Sequence, residues 1–254
     1  MTHKTVIITG ASRGIGAAMA KITAEQGAAV VINARSEDAL RAVAAEIEQG
    51  GGKALVVPGD VSDPAQCAAL VEQTIAQFGR IDALINNAGI LEPISPIAET
   101  DPADWQYNFA VNLLGPLMLI QAAIPYLREQ NGRVINISSG AATRGTAGWA
   151  AYCASKAALN QITRVLALEE PAITALAVRP GIVDTEMQAV IRSEGKSGMI
   201  QADHQRFIGF HQNGQLLPPE IPSRALVALA LHAPKEWSGD FLSWDDDRVE
   251  ALMG

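Results

Sequence analysis

The sequence predicts an α/β fold, a doubly wound parallel sheet in a single domain, and three observations predict it. Short apolar runs of strand length alternate with segments of helical period from residue 5 onward. A glycine-rich turn, Gly10-Ala-Ser-Arg-Gly14-Ile-Gly16, joins the first apolar run directly to a helical one. The 254 residues, 48% of them apolar, are enough for one large core, and no repeat, low-complexity stretch or linker divides them. Residues 1–254 therefore read as one domain.

Composition narrows the function classes. A net charge of -8 argues against nucleic acid or an anionic membrane as the main partner, so an anionic ligand must be held by local positive groups. Cys67 and Cys153 lie far apart without metal-ligand spacing, and His3, His204, His211 and His232 are scattered, so neither a zinc site nor a disulfide framework is indicated. No 18 consecutive residues are apolar, and the N-terminus lacks a signal pattern. The expectation is a soluble, cytoplasmic protein.

Taken in order, Thr5–Thr9 is an apolar strand, followed by the glycine turn and a helix to about Gln26. Strand, glycine turn and helix N-terminus together suit a pyrophosphate: glycines permit close backbone approach, and the helix end offers free N–H groups and a positive dipole. Gly10, Ser12, Arg13, Gly14, Ile15 and Gly16 are the candidates there. The second strand, Ala29–Ala34, ends in Arg35 with no carboxylate where a free ribose 2′-hydroxyl would need one. Glu37 and Asp38 follow Ser36, a natural N-cap, and read as first-turn acids of the next helix. Arg13 and Arg35 can instead clamp a 2′-phosphate, which favours NADP over NAD.

A helix from Ser36 to Gln49 leads to a third strand at residues 54–58, then to Asp60-Val61, where an acid at a strand end can accept from an adenine amino group. A helix over about Pro64–Phe78 precedes the strand at 83–85 and Asn86-Asn-Ala-Gly89. Residues 102–130 read as a long apolar helix containing Asn112, bent near Pro116. The strand Arg133–Ile137 follows, and a sixth spans 173–178. Residues 186–219 have the weakest pattern, 222–232 read as a helix, 237–244 as a last strand, and Asp245–Asp247 as a solvated turn.

The stretch from Ser138 to Lys156 carries the chemistry. Tyr152 and Lys156 lie four residues apart on an Ala-rich helix and share one face. An ammonium beside a phenol favours the phenolate, so the tyrosine pKa is expected to fall below its usual value. Ser139, at the C-terminal end of the preceding strand, can bring a hydroxyl to the same point.

Thr9-Gly-x-x-x-Gly-x-Gly16, Asp60-Val61, Asn86-Asn-Ala-Gly89, Asn112, Ser139, Tyr152-x-x-x-Lys156 and Arg179-Pro-Gly181 occur in the order found in the short-chain dehydrogenase/reductase family. The chain resembles that family over most of residues 5–185, which implies a Rossmann fold and a small-molecule carbonyl or alcohol substrate. It also implies a homodimer or homotetramer, with neither nucleic acid nor membrane as partner. By this resemblance Tyr152 exchanges the proton, Ser139 hydrogen-bonds the carbonyl oxygen, Lys156 also binds the nicotinamide ribose, and Asn112 holds a water leading to solvent. The cofactor NADP(H) would further touch Asn87, Ala88, Gly89, Tyr152, Pro180, Gly181, Val183 and Thr185. A structural alternative for Thr185 is a helix cap before Glu186. Residues 186–219 would form a lid over the substrate.

Leu168-Glu-Glu-Pro171, Arg179–Met187 and Ser238-Gly239 are similar to the sepiapterin reductase and benzil reductase branch. Ser243 falls where sepiapterin reductases carry an acid, with Asp245 and Asp246 near enough to substitute under a shifted register. The expected activity is NADPH-dependent reduction of a small carbonyl compound, a vicinal diketone first. The alternatives are a pterin reductase or alcohol dehydrogenase of the same family, or a non-catalytic NADP(H)-sensing regulator.

Overall fold

The computed structural model describes residues 4–253; His3 and the two chain ends lie outside them. Seven strands form one parallel sheet: β1 (Thr5–Thr9), β2 (Ala29–Ala34), β3 (Lys53–Pro58), β4 (Ala83–Asn86), β5 (Arg133–Ile137), β6 (Thr174–Arg179) and β7 (Phe241–Ser243). Their spatial order is β3-β2-β1-β4-β5-β6-β7, so the strand order reverses between β1 and β4. Ligands bind outside the carboxyl ends of the strands at such a reversal.

Both sheet faces are covered, which is why the central strands are apolar throughout rather than alternating. Val6 and Ile8 feed one core, and Ile7 between them feeds the other. The first face packs α1 (Gly14–Glu25), α2 (Glu37–Gln49), α9 (Glu220–His232) and α10 (Asp247–Met253). The second packs α3 (Pro64–Phe78), α5 (Gly115–Gln130) and α6 (Ala150–Glu169).

Several helix ends follow local chemistry. Ser36 caps α2 by accepting from the Ala39 N–H at 3.4 Å, with Glu37 and Asp38 in the first turn as expected. Asp63 caps α3, and Gly79 (φ +71°) ends it in the left-handed conformation. The long helix expected at 102–130 is instead α4 (Pro102–Phe109), a π-helical turn at Ala110–Leu114, and α5. Pro116 has no N–H to return to the preceding turn, so the break sits where its ring enters the helix. An 18-residue window within residues 102–130 reaches a mean hydropathy of 1.5, enough for a membrane span by composition, but half of that window is buried. Leu119, Ile120, Ala123 and Leu127 lie against the sheet, as in a core helix.

Three further expectations change. Residues 186–219 contain two helices, α7 (Glu186–Gly198) and α8 (Gln201–Gln212), which pack on a small separate cluster and not on the main core. The last strand is only Phe241–Ser243, because a 3-10 turn occupies Lys235–Trp237. Asp247 opens α10, so the acidic turn covers only Asp245 and Asp246.

At the opposite end of the sheet from the site, Asp82 ties three strands together. Its carboxylate accepts from the Thr5 N–H at 2.8 Å and from Arg80 at 2.8 and 2.6 Å, while its carbonyl accepts from Arg133 N–H at 2.9 Å. Asp82 is buried, so replacing the carboxylate leaves Arg80 without its partner. Asp82→Asn should destabilise the fold by about 1.5–3 kcal/mol, measured by urea denaturation.

Candidate active site

The glycine turn after β1 and the loop after β4 are sewn together at the strand-order reversal. Thr9 Oγ1 accepts from the N–H groups of Asn87 (3.0 Å) and Ala88 (3.1 Å). Asn87 Nδ2 donates back to the carbonyls of Thr9 (2.9 Å) and Gly10 (3.2 Å). This closeness requires glycine. A Cβ at Gly16 would lie 2.2 Å from the Gly10 carbonyl oxygen, and one at Gly10 would lie 2.9 Å from the Ala88 Cα.

The helix end above this cradle is open. Arg13 provides no side-chain cap to α1, and no acid stands in its first turn, whereas α2, α3 and α4 are all capped by side chains. Uncapped N–H groups and a glycine cradle fit the diphosphate of a dinucleotide. Ser12 and Ile15 are half-buried beside them.

On the adenosine side, Arg13 and Arg35 are both exposed, and Arg35 Nη1 donates to the Tyr107 hydroxyl at 3.2 Å. Asp60 Oδ1 accepts from the Ser62 N–H (2.9 Å) and hydroxyl (2.8 Å), so that oxygen is committed to a local turn. Only its other oxygen suits the base-recognition role read from the sequence. Val61 is buried, its carbonyl so close to α5 that a Cβ at Gly115 would come within 2.6 Å.

On the opposite side, the loop with Pro180, Gly181, Val183 and Thr185 leans over the glycine turn: a Cβ at Gly14 would lie 3.2 Å from Thr185 Cγ2. Thr185 precedes α7 but makes no side-chain cap; its hydroxyl donates to the Val183 carbonyl at 3.3 Å. The capping alternative is therefore set aside. Leu217 pins the loop by pairing with Ile182 and Asp184.

Ser139, Tyr152, Lys156 and Asn112 converge beside the end of β5. Ser139 opens a 3-10 turn and accepts from the Ala141 N–H at 3.1 Å, while its hydroxyl also pairs with the Tyr152 phenol. Tyr152 and Lys156 are both buried, with Lys156 Nζ 5.8 Å from the Tyr152 ring centroid and 2.8 Å from the Ile137 carbonyl it donates to. The expected fall in the tyrosine pKa is not what this geometry produces. Burial pushes Tyr152 up to about 12, with the Ser139 hydrogen bond only partly opposing it. Burial also brings Lys156 down to about 8. Removal from water outweighs attraction between the pair, because the ammonium is directed at a carbonyl.

Asn112 sits in the π-turn and is fully buried. Its Oδ1 accepts from the Ile90 N–H (2.9 Å), and its Nδ2 donates to the Ile90 carbonyl (2.7 Å), Asn108 Oδ1 (3.0 Å) and Ser155 Oγ (3.3 Å). The side chain is committed to protein partners, so the water role read for it does not fit the amide. A π-turn followed by proline leaves main-chain carbonyls short of helical donors, and those suit a water better. A Cβ at Gly89 would lie 3.1 Å from Asn112 Oδ1 and 3.5 Å from Lys156 Nζ, which places Gly89 between the two.

Sequence reasoning missed the polar column that holds this group. Ser138 Oγ donates to Asn160 Oδ1 (2.6 Å), Asn136 Nδ2 to Thr163 Oγ1 (2.9 Å), and Asn86 Nδ2 to Asn136 Oδ1 (2.8 Å), all buried. The signal was present: Lys156, Asn160 and Thr163 recur at one-turn spacing on an otherwise apolar helix face.

A lysine whose folded pKa lies below its unfolded value makes the unfolded state bind more protons in between, so stability rises with pH through that window. For Lys156 the window runs from about 8 to 10.5. In chemical denaturation without ligand, the stability advantage of Lys156→Met over the natural protein should shrink across it by on the order of 3 kcal/mol. A difference that does not vary with pH would refute the assignment.

The sequence matches the short chain dehydrogenase family over residues 4–196. A benzil reductase forming (S)-benzoin, from Saccharomyces cerevisiae, is 34% identical over 99% of both chains. The crystal structure of another Saccharomyces cerevisiae short chain dehydrogenase/reductase superposes with a TM-score of 0.94, at 36% identity over 99% of this chain and all of that one. A blue fluorescent protein from a metagenomic library, crystallised with NADPH, gives a TM-score of 0.83 at 33% identity over 94% and 95% of the two chains. With the fold, the cradle and the Ser139-Tyr152-Lys156 group in register, this chain belongs to the short-chain dehydrogenase/reductase family of oxidoreductases acting on CH–OH and C=O groups.

Proposed function

We propose that the protein is an NADPH-dependent carbonyl reductase whose preferred substrates are small, uncharged vicinal diketones. The observation that carries this reading is the roof over Tyr152. Leu91, Ala141, Trp149, Ile191, Met199 and Phe207 bury the phenol in an apolar cluster, which accepts a ring and would desolvate a charge or a sugar at a loss. When bound, NADPH supplies the hydride. Tyr152, kept protonated by burial, donates to the carbonyl oxygen while Ser139 hydrogen-bonds it. Lys156 is still largely protonated at neutral pH and steadies the phenolate left behind. A diketone's second carbonyl withdraws electron density from the first and eases attack.

Two exposed guanidinium groups at the adenosine end, with Glu37 occupied by Arg41, support NADP(H) over NAD(H). The free thiols Cys67 and Cys153 suit a reducing, cytoplasmic setting. Leu168 and Val165, exposed on α6, favour a homo-oligomer.

A second reading, a pterin reductase, is favoured by one feature. Ser243 donates to Asp245, and both residues line a cavity of about 460 Å³ with Asp246, Thr143, Phe241 and Arg179. Acids thus stand beside the position where a pterin-binding carboxylate is expected, although Arg179 in the same cavity opposes a cationic edge.

Initial rates of NADPH oxidation with benzil and with sepiapterin, side by side, separate the two readings. Benzil should be the better substrate, reduced at one carbonyl to a single benzoin enantiomer on chiral chromatography; preference for sepiapterin would replace the diketone reading. Tyr152→Phe should bind NADPH normally and lose about 10²-fold or more in turnover. Arg35→Ala should raise KM for NADPH about tenfold and leave that for NADH nearly unchanged. An enzyme already faster with NADH would overturn the cofactor assignment.

A further inference from the structure

Trp149 stands beside the catalytic group with an unmet requirement. The residue is 7% exposed, and its indole Nε1 is wholly enclosed with no hydrogen-bond partner among the described residues. A buried N–H without an acceptor is uncommon and unfavourable. Its position is fixed from several sides. The backbone N–H of Trp149 donates to the Thr146 carbonyl at 3.1 Å, and Ser95 N–H donates to the Gly148 carbonyl at 3.0 Å, forming a bridge between Ser95 and Trp149. A Cβ at Gly148 would lie 2.5 Å from the Gly198 carbonyl oxygen, so the end of α7 presses on the same turn.

The ring is also fixed. It meets Tyr152 edge-on, with centroids 6.1 Å apart and planes at 88°, and lies 5.1 Å from the Phe207 centroid. The side chains clustered around it, Leu91, Ala141, Ile191, Met199 and Phe207, carry no oxygen or nitrogen acceptor. An enclosed donor one helical turn before the proton-donating phenol, in an apolar roof, has the character of a group reserved for a ligand oxygen.

We propose that the Trp149 indole N–H is the specificity-determining donor for the second oxygen of the substrate. Tyr152 and Ser139 hold the carbonyl that is reduced, and Trp149 holds its neighbour, so the site selects two adjacent oxygens over one. This rests on the diketone reading and names the residue that enforces it. Phe207 packs on the indole with ring centroids 5.1 Å apart, and on this proposal a substrate ring takes over that contact when it enters. The same donor limits the expected reaction to one carbonyl: the hydroxyl product keeps its remaining carbonyl on Trp149, with the reduced carbon still at Tyr152.

The test compares benzil with deoxybenzoin, the same skeleton with one oxygen removed. In the natural enzyme, kcat/KM should favour benzil, by more than the difference in intrinsic reactivity toward borohydride. Trp149→Phe retains an aromatic ring against Tyr152 and Phe207 and should lower that preference about tenfold. Because the indole also packs the roof, the rate with deoxybenzoin should fall as well, but by clearly less than that with benzil, while the KM for NADPH stays within about twofold. A fall equal for both ketones would show that the indole only packs the site and would overturn the proposal. So would an undiminished preference for benzil. A natural enzyme without the preference would retire the diketone reading and this inference together.

If the variant does not fold, the indole N–H resonances of ¹⁵N-tryptophan-labelled natural enzyme decide, assigned by phenylalanine replacement of Trp105, Trp237 and Trp244 in turn. With NADP⁺ bound, benzil should move the Trp149 resonance downfield and deoxybenzoin should not. Equal responses to the two ligands would overturn the proposal.

Discussion

The catalytic geometry depends on how α6 is fastened to β5. Three residues on one face of the helix, Lys156, Asn160 and Thr163, reach Ile137 and Asn136 on the strand and Ser138 just past its end. A helix packed by apolar contacts alone can slide or rotate by a fraction of a turn at modest expense in free energy. Buried hydrogen bonds at successive turns forbid this, because a shift would strand several polar groups at once. Tyr152 occupies the turn before Lys156, so its hydroxyl takes its position from this fastening. Asn86 extends the column to β4, beside the loop that meets the cofactor cradle. Helix, sheet and cofactor loop therefore share one hydrogen-bonded frame.

The same enclosure sets the protonation of the site. Burial favours the neutral forms of both Tyr152 and Lys156, and the two shifts narrow the function of each. A phenol held neutral is a loaded donor, which is what protonation of a carbonyl oxygen near neutrality requires. A lysine brought toward the working range remains mostly cationic and keeps its bond to the Ile137 carbonyl. Proximity of opposite tendencies in one sequence motif does not fix a pKa. Solvent exclusion has to be known first, and it comes from residues far away in the chain, Leu91 and Phe207 among them.

What could be read from the sequence was mostly local in origin. The β-α rhythm, the Ser36 cap, the bounds of α3 and the need for Gly10 and Gly16 all follow from near-neighbour chemistry, and each holds. The π-turn at Asn112 was not legible as such: Pro116 announces a disturbance but not its form. The helices α7 and α8 escaped because their apolar residues serve a small roof over one side chain, leaving no broad stripe. Nothing local in the sequence singles out Trp149. Only the assembled site shows that its N–H faces no acceptor, since that depends on Ile191, Met199 and Phe207, which lie at least 42 residues away.

The placement of β1 bears on how the chain is made. β1 is synthesised well before one of its two neighbours: it is an interior strand flanked by β2 and β4, and β4 begins only at Ala83. At ordinary rates of synthesis roughly 4–16 s separate β1 from β4, during which one side of β1 has no strand beside it. Val6, Ile7 and Ile8 are all completely buried in the finished protein, so the growing chain presents an apolar, unpaired edge throughout that interval. The seam later closed by Thr9 and Asn87 is thus an open apolar edge of the nascent chain before it becomes the floor of the cofactor cradle.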